Sequence, residues 1–301
     1  MDQGREPIPP FLGADEAESS FDRARVAILP VPYDATVCWK SGTARGPEAV
    51  LRASLHLEFY DEQMGCEPYR CGIWTDAMLD LLDAPAETAV PIIARRFGEL
   101  LDAGKWVVML GGEHSITPGG VRAAAERHEG LHVVQLDAHA DLRESWDGDR
   151  WSHACAMARC VELAPVHGIG IRSYTIEEAE WMRRGIPGHR VTHSWEMHGE
   201  GWIERALEGL DGRPVYLTFD VDYFDPAIMP ATGTPEPGGM SWWPTLALLE
   251  QLFDRAQVVA CDVVELAPSE GLHHADFTVA RLVHKLIGLH TGARSRQIPP
   301  G

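Results

Sequence analysis

The run Pro214-Val215-Tyr216-Leu217-Thr218-Phe219-Asp220-Val221-Asp222 is apolar at nearly every position and then ends in two acids one residue apart. A strand with one wet face alternates, whereas a run apolar on both faces belongs to a strand covered by helices on each side. Val107-Val108-Met109-Leu110 has the same character and runs into Gly111-Gly112-Glu113-His114-Ser115. Further short apolar runs fall at 25–30, 72–75, 131–137, 166–171, 190–192 and 258–266, with helical segments between them. The 3.6 period is clearest over residues 89–103 and where Val279, Leu282, Val283, Leu286 and Ile287 share one stripe. Alternation of this kind predicts a parallel sheet in a three-layer α/β/α sandwich. No repeat, low-complexity tract or Gly/Ser/Pro-rich linker divides the 301 residues, so the chain reads as a single domain over 1–301.

Bulk properties narrow the function. A net charge of -19, from 45 acids against 26 Lys and Arg, argues against a nucleic-acid backbone as partner, because phosphates are bound by clustered bases. No apolar stretch approaches the roughly 20 residues that cross a membrane, and the first 13 residues lack a basic end followed by an apolar core. The expectation is a cytoplasmic protein. Its six cysteines are spread too thinly for a zinc ribbon or a redox pair, so free thiols are expected.

The informative residues stand where the apolar runs end. Besides Gly111–Ser115 and Asp220–Asp222 these are Asp137-Ala138-His139-Ala140-Asp141 and Asp262-Val263-Val264-Glu265. Candidate ligands recur every second residue, so as a strand runs out they converge on one side. One such aspartate usually caps a helix or opens a turn. Repetition at several strand ends points instead to a shared site, since four carboxylates packed without counter-charge would raise one another's pKa. Two imidazoles with four carboxylates and no cysteine suit Mn, Fe, Co, Ni or Zn better than Ca or Mg. Two ions about 3.5 to 4 Å apart would lower the pKa of a shared water from ~15.7 toward ~7 and so supply a nucleophile. Asp137 and Asp220, each the first acid of its motif, are the expected bridging pair, with His114 and Asp141 completing one ion and His139 and Asp222 the other. The proline- and glycine-rich stretch 225–244 follows a strand directly and is expected to form a fixed wall of the site.

These blocks resemble the arginase/agmatinase (ureohydrolase) family. Its signatures look like Gly111–Ser115, residues 137–143 and residues 220–239, and the likeness extends to residues 32–36, 42–47 and 262–268, the upstream part being closer to agmatinases. The resemblance implies an eight-stranded parallel sheet, two manganese ions (nickel being the alternative) on the six ligands above, and hydrolysis of a guanidine to urea and an amine. It also implies trimers or hexamers. His153 matches the family's proton-shuttling histidine, and Glu265 its guanidinium-holding glutamate. A guanidinium is protonated and planar, so a carboxylate that fixes its plane beside an activated water, with a histidine to protonate the leaving amine, forms a coherent catalytic set of His153, Glu265 and Asp141. Thr234 is a further candidate for binding substrate from the loop.

Arg143 stands where arginases resemble one another in an asparagine that holds the amino-acid end of arginine. A cation there disfavours arginine. Agmatine is the first substrate expected, provided Glu144, Asp147 or another acid neutralises Arg143; guanidinobutyrate would suit a free Arg143, and aminopropylagmatine or a small alkylguanidine would depend on the loop around Trp39. A metal-dependent deacetylase and an inactive partner subunit are rival readings, disfavoured because all six ligands are present.

Overall fold

The computed structural model describes residues 7–15, 19–81, 84–185 and 188–292; residues 1–6 of the stretch read for a leader lie outside them. Eight strands join in one sheet: β1 (Val26–Val31), β2 (Ile73–Thr75), β3 (Trp106–Gly111), β4 (His132–Leu136), β5 (Val166–Ile171), β6 (His189–His193), β7 (Pro214–Asp220) and β8 (Gln257–Val264). Their order is β2-β1-β3-β8-β7-β4-β5-β6, and every neighbouring pair is parallel. Each apolar run of the sequence is one of these strands.

Both faces of the sheet are covered. Val26, Ile28, Val108 and Leu217 point into an apolar layer beneath α1 (Gly46–Ser54), α7 (Trp242–Arg255) and α8 (His273–His290). Their neighbours Ala27, Leu29, Val107 and Tyr216 point the other way, into a layer under α2 (Ala86–Asp102), α3 (Thr117–Ala125) and α4 (Ala156–Val161). Period-two alternation between two buried layers explains why these strands look uniformly apolar in sequence. The short helices α5 (Ile176–Arg184) and α6 (Trp202–Ala206) complete the connections near β6 and β7. Among the described residues no helix is long and apolar enough to cross a membrane.

The loop expected over 225–244 ends sooner, because α7 begins at Trp242 and places Pro244 in its first turn. Proline is tolerated there since first-turn N–H groups have no helical partner to lose.

One ionic cluster is buried away from the strand ends. Lys285 on α8 donates from Nζ to Asp61 Oδ1 at 2.9 Å, and both residues are buried. Burial pushes the Asp61 carboxyl up, but the nearby His284 and hydrogen bonds from Lys285 and the Met64 backbone outweigh it and hold the group well below the ordinary carboxylate range. Lys285→Met is expected to cost about 3 kcal/mol at neutral pH, because it removes the closest partner of a buried carboxylate and leaves the more distant Arg281 and His284, at 3.8 and 3.6 Å, to offset it. A depressed folded pKa contributes stability above the unfolded value and loses it as the pH falls, so the gap between wild type and variant in urea unfolding should narrow in acid.

Candidate active site

The four central strands β3, β8, β7 and β4 lie side by side, and their C-terminal ends deliver the site. His114 follows β3 after Gly112 and Glu113, Asp137 follows β4, Asp220 is the last residue of β7, and Glu265 follows β8. Register keeps these ends level: Phe219 pairs with Leu136 and Asp220 with Val264, while the Glu265 amide donates to the Gly112 carbonyl at 2.8 Å. Ligands gather at this edge of a parallel sheet because the loops that reach over it all start there.

Six candidate side chains converge. His114 Nδ1 lies 3.1 Å from Asp137 Oδ2, 3.0 Å from Asp141 Oδ2 and 3.6 Å from Asp220 Oδ2. His139 Nδ1 lies 2.8 Å from Asp222 Oδ2 and 3.8 Å from Asp137 Oδ1. Two groups with metal-ligating reach result, His114–Asp137–Asp141 and Asp137–His139–Asp222, and Asp137 belongs to both. Asp220 stands beside the first group rather than within either.

Buried groups behind these side chains aim them. Thr218 Oγ1 donates to Asp262 Oδ1 at 2.6 Å and meets His114 Nε2 at 2.9 Å. Because its one proton goes to Asp262, the threonine oxygen accepts from the imidazole Nε2, which turns Nδ1 toward the carboxylates. Despite its burial, Asp137 and Asp141 hold the imidazole well above its ordinary pKa, so a metal ion at Nδ1 would displace a proton. Asp262 also accepts from Tyr216 and Thr117, at 2.7 and 2.9 Å. Gln135 Nε2 donates to Asp137 Oδ2 at 2.8 Å, the Ala138 amide to Asp222 Oδ1 at 2.9 Å, and the Asp222 amide to Asp220 Oδ1 at 2.8 Å.

The electrostatics fit a cation site. Burial, then repulsion from Asp222, pushes Asp137 up to about 7; burial with Asp222 and Asp137 drives Asp220 well above its ordinary value. Despite its burial, His139 is raised by Asp222 to about 10, so a metal ion bound there would take the place of a proton. Buried carboxylates short of positive charge, with an imidazole nitrogen in each of two groups, form a donor set suited to divalent ions. The two groups place His114 with Asp141 and His139 with Asp222, with Asp137 common to both and Asp220 beside the first.

The remaining expectations fall on one cavity of about 310 Å³, lined by His153, Glu265, Thr234 and Arg143 together with Asp141 and Trp39. Glu265 Oε1 accepts from the His114 amide at 2.6 Å, and burial together with Glu113 pushes its carboxyl up to about 8. His153 is held below its ordinary value by burial. Arg143 is neutralised, though by neither sequence neighbour: its Nε lies 3.8 Å from Glu178 Oε2 and its guanidinium stacks on Trp146 at 4.1 Å. Glu144 pairs instead with Arg159 and Arg150, at 3.0 and 3.5 Å.

The Arginase family model matches residues 24–288. The chain belongs to the arginase family. It is 42% identical over 282 residues to the N(1)-aminopropylagmatine ureohydrolase of Synechocystis sp., covering 91% of each, and 33% identical over 261 residues to the agmatinase of Bacillus anthracis, covering 84% of this chain and 87% of that one. The agmatine ureohydrolase structure of Thermoplasma volcanium superposes with a TM-score of 0.83 at 27% identity, covering 97% of this chain and 98% of that one. Arginase-family enzymes depend on a pair of metal ions, and this member is a hydrolase of guanidino C–N bonds.

Family membership leaves the local supports to the structure. Asp141 and Glu265 adopt positive φ, 52° and 68°, an uncommon conformation for residues with side chains, and both line the cavity. Arg172 ties down the loop that forms one wall, donating to the carbonyls of Asp222 at 2.7 Å, Glu236 at 2.9 Å, Pro237 at 3.1 Å and Gly170 at 3.1 Å. None of these was signalled by a motif. Arg172→Ala should therefore loosen the wall while sparing the sheet: limited proteolysis is expected to cut within residues 225–241 at least about tenfold faster, with little change in far-ultraviolet dichroism.

Proposed function

We propose that this chain uses two divalent ions, manganese or nickel, to hydrolyse a guanidine bearing an amine-terminated tail, with agmatine yielding putrescine and urea as the first case. The observation that supports it most is the convergence of His114, Asp137, His139, Asp141, Asp220 and Asp222 beside Glu265 in one cavity. When bound, such a metal pair acidifies a water and stabilises negative charge on it.

The protein's own groups do the rest. Glu265 offers a carboxylate to the planar guanidinium, and a cationic substrate draws its raised pKa back toward the ionised form. His153, neutral around pH 7 because burial depresses it, takes a proton from solvent and passes it to the leaving nitrogen. Thr234 adds a hydroxyl from the loop wall.

The cavity mouth favours a cationic tail. Arg143 is occupied by Glu178 and Trp146, while Glu236 reaches the cavity with one oxygen taken by Ser173 Oγ at 3.1 Å. Arginine, with a carboxylate, and guanidinobutyrate would both bring a second anion to this acidic rim. A longer tail, as in N(1)-aminopropylagmatine, is the second reading, favoured by the 42% identity to an enzyme of that name and by the exposed Trp39 at the mouth, whose face can stack on a second ammonium. Trimers or hexamers in the cytoplasm belong to the same reading; light scattering on the purified protein tests the assembly.

Asp137→Asn is expected to remove bound metal, measured by plasma mass spectrometry, together with urea release. A fully active variant would refute the two-ion site. Across a panel of agmatine, N(1)-aminopropylagmatine, guanidinobutyrate, arginine and methylated guanidines, urea should be released fastest from the amine-tailed compounds. Glu236→Gln should raise KM for these by about three- to tenfold with kcat little changed, as expected for a rim charge that binds ground and transition states alike.

A further inference from the structure

Thr36 precedes the motif-bearing strands by a long stretch of chain, yet it sits between two groups of the site. Glu113 is fully buried, and Oε1 accepts hydrogen bonds from Thr36 Oγ1 at 2.8 Å and from Ser115 Oγ at 2.6 Å. Its other oxygen, Oε2, accepts from the Thr36 amide at 2.9 Å. On the far side, the Thr36 hydroxyl oxygen takes the His153 amide at 2.9 Å and lies 3.3 Å from His153 Nδ1.

We propose that Thr36 and Glu113 position His153: the threonine hydroxyl, its proton committed to Glu113, holds the imidazole in the tautomer protonated at Nδ1 and so leaves Nε2 as the nitrogen that takes up and releases a proton. The argument is one of donor accounting. Three donors, the Thr36 amide and hydroxyl and the Ser115 hydroxyl, are directed at the two oxygens of Glu113. A threonine hydroxyl has one proton and two lone pairs, and here the proton is spent on Glu113. An unprotonated Nδ1 would then set lone pair against lone pair at 3.3 Å, whereas a protonated one completes the threonine's bonding. Ser152 Oγ, also 3.3 Å from Nδ1, can rotate to donate or accept and decides nothing.

The fold makes this contact obligatory. A Cβ at Gly112 would fall 1.8 Å from the Tyr33 carbonyl oxygen, so only glycine lets the segment after β1 lie against the segment after β3. Glu113 and Tyr33 are joined there by a backbone hydrogen bond of 2.8 Å. Thr36 is thereby brought over both Glu113 and His153.

The inference rests on His153 being the proton carrier of the proposed reaction, and the tests separate the two. In the full chain loaded with diamagnetic zinc, nitrogen-15 spectra of labelled histidine at pH 8, assigned with His153→Gln, should show His153 protonated at Nδ1, the tautomer less favoured in water. Thr36→Val should lower kcat about tenfold or more, as loss of an orienting partner does, with KM and metal content little changed, and Thr36→Ser should restore most of it. If His153→Ala keeps full kcat, the proton-carrier reading falls and the inference with it. If His153→Ala is impaired but the spectrum shows Nε2 protonated, or Thr36→Val matches wild type, the positioning role alone is refuted. Should Thr36→Val fail to fold, the wild-type spectrum and Thr36→Ser still decide: a serine variant with depressed kcat and an altered tautomer supports no hydroxyl-specific role.

Discussion

Carboxylate crowding at the ends of four adjacent strands is the constraint that organises this molecule. Asp137, Asp220 and Asp222 are each at least 97% buried, and Asp141 is nearly so, all within reach of only two imidazoles. A cluster of that kind opposes folding by itself, because each charge raises the cost of ionising the next. Its persistence in the fold means the surroundings must over-determine it. The level register of β4, β7 and β8 does so, as do the amides of Ala138, His139 and Asp222 that donate to carboxylate oxygens.

Aiming the imidazoles is a separate problem from gathering the acids. At His114 the solution is a buried chain from Asp262 through Thr218, which takes the Nε2 hydrogen and turns Nδ1 inward. The same device, carboxylate to hydroxyl to imidazole, recurs at Glu113, Thr36 and His153. A hydroxyl inserted between acid and imidazole transmits orientation without placing a full charge against the ring, which suits a site already rich in negative charge.

Much of this was legible in the sequence because it is local. Strands buried on two faces show as unbroken apolar runs, and ligands on an emerging strand show as acids and histidines at spacing two. His153, and the role of Glu265, became visible only through resemblance to a family. What stayed hidden depends on contacts across great sequence distance: Thr36 meets residues 77 and 117 positions away, and Arg143 meets Glu178 rather than the acids beside it. Arg172 gives no signal at all, since its ligands are backbone carbonyls that carry no sequence identity. The positive φ of Asp141 and Glu265 is likewise invisible, because the residue type that would announce it is glycine.

The two halves of the site differ in how they use negative charge. Deep in the cavity the acids are desolvated and mutually repulsive, so bound cations relieve stress that folding has stored there. At the mouth Glu178 is satisfied by the amides of Leu142 and Thr175 and by Arg143, and Glu236 by Ser173 on one oxygen. Glu178 is buried too, yet its donors compensate the charge, so these acids cost less than the mutually repulsive ones below them. Binding of divalent ions to the native chain alone must stabilise it by mass action, whereas binding at the rim acts on substrate choice. Compensation by donors, rather than depth of burial, thus separates the two groups of acids.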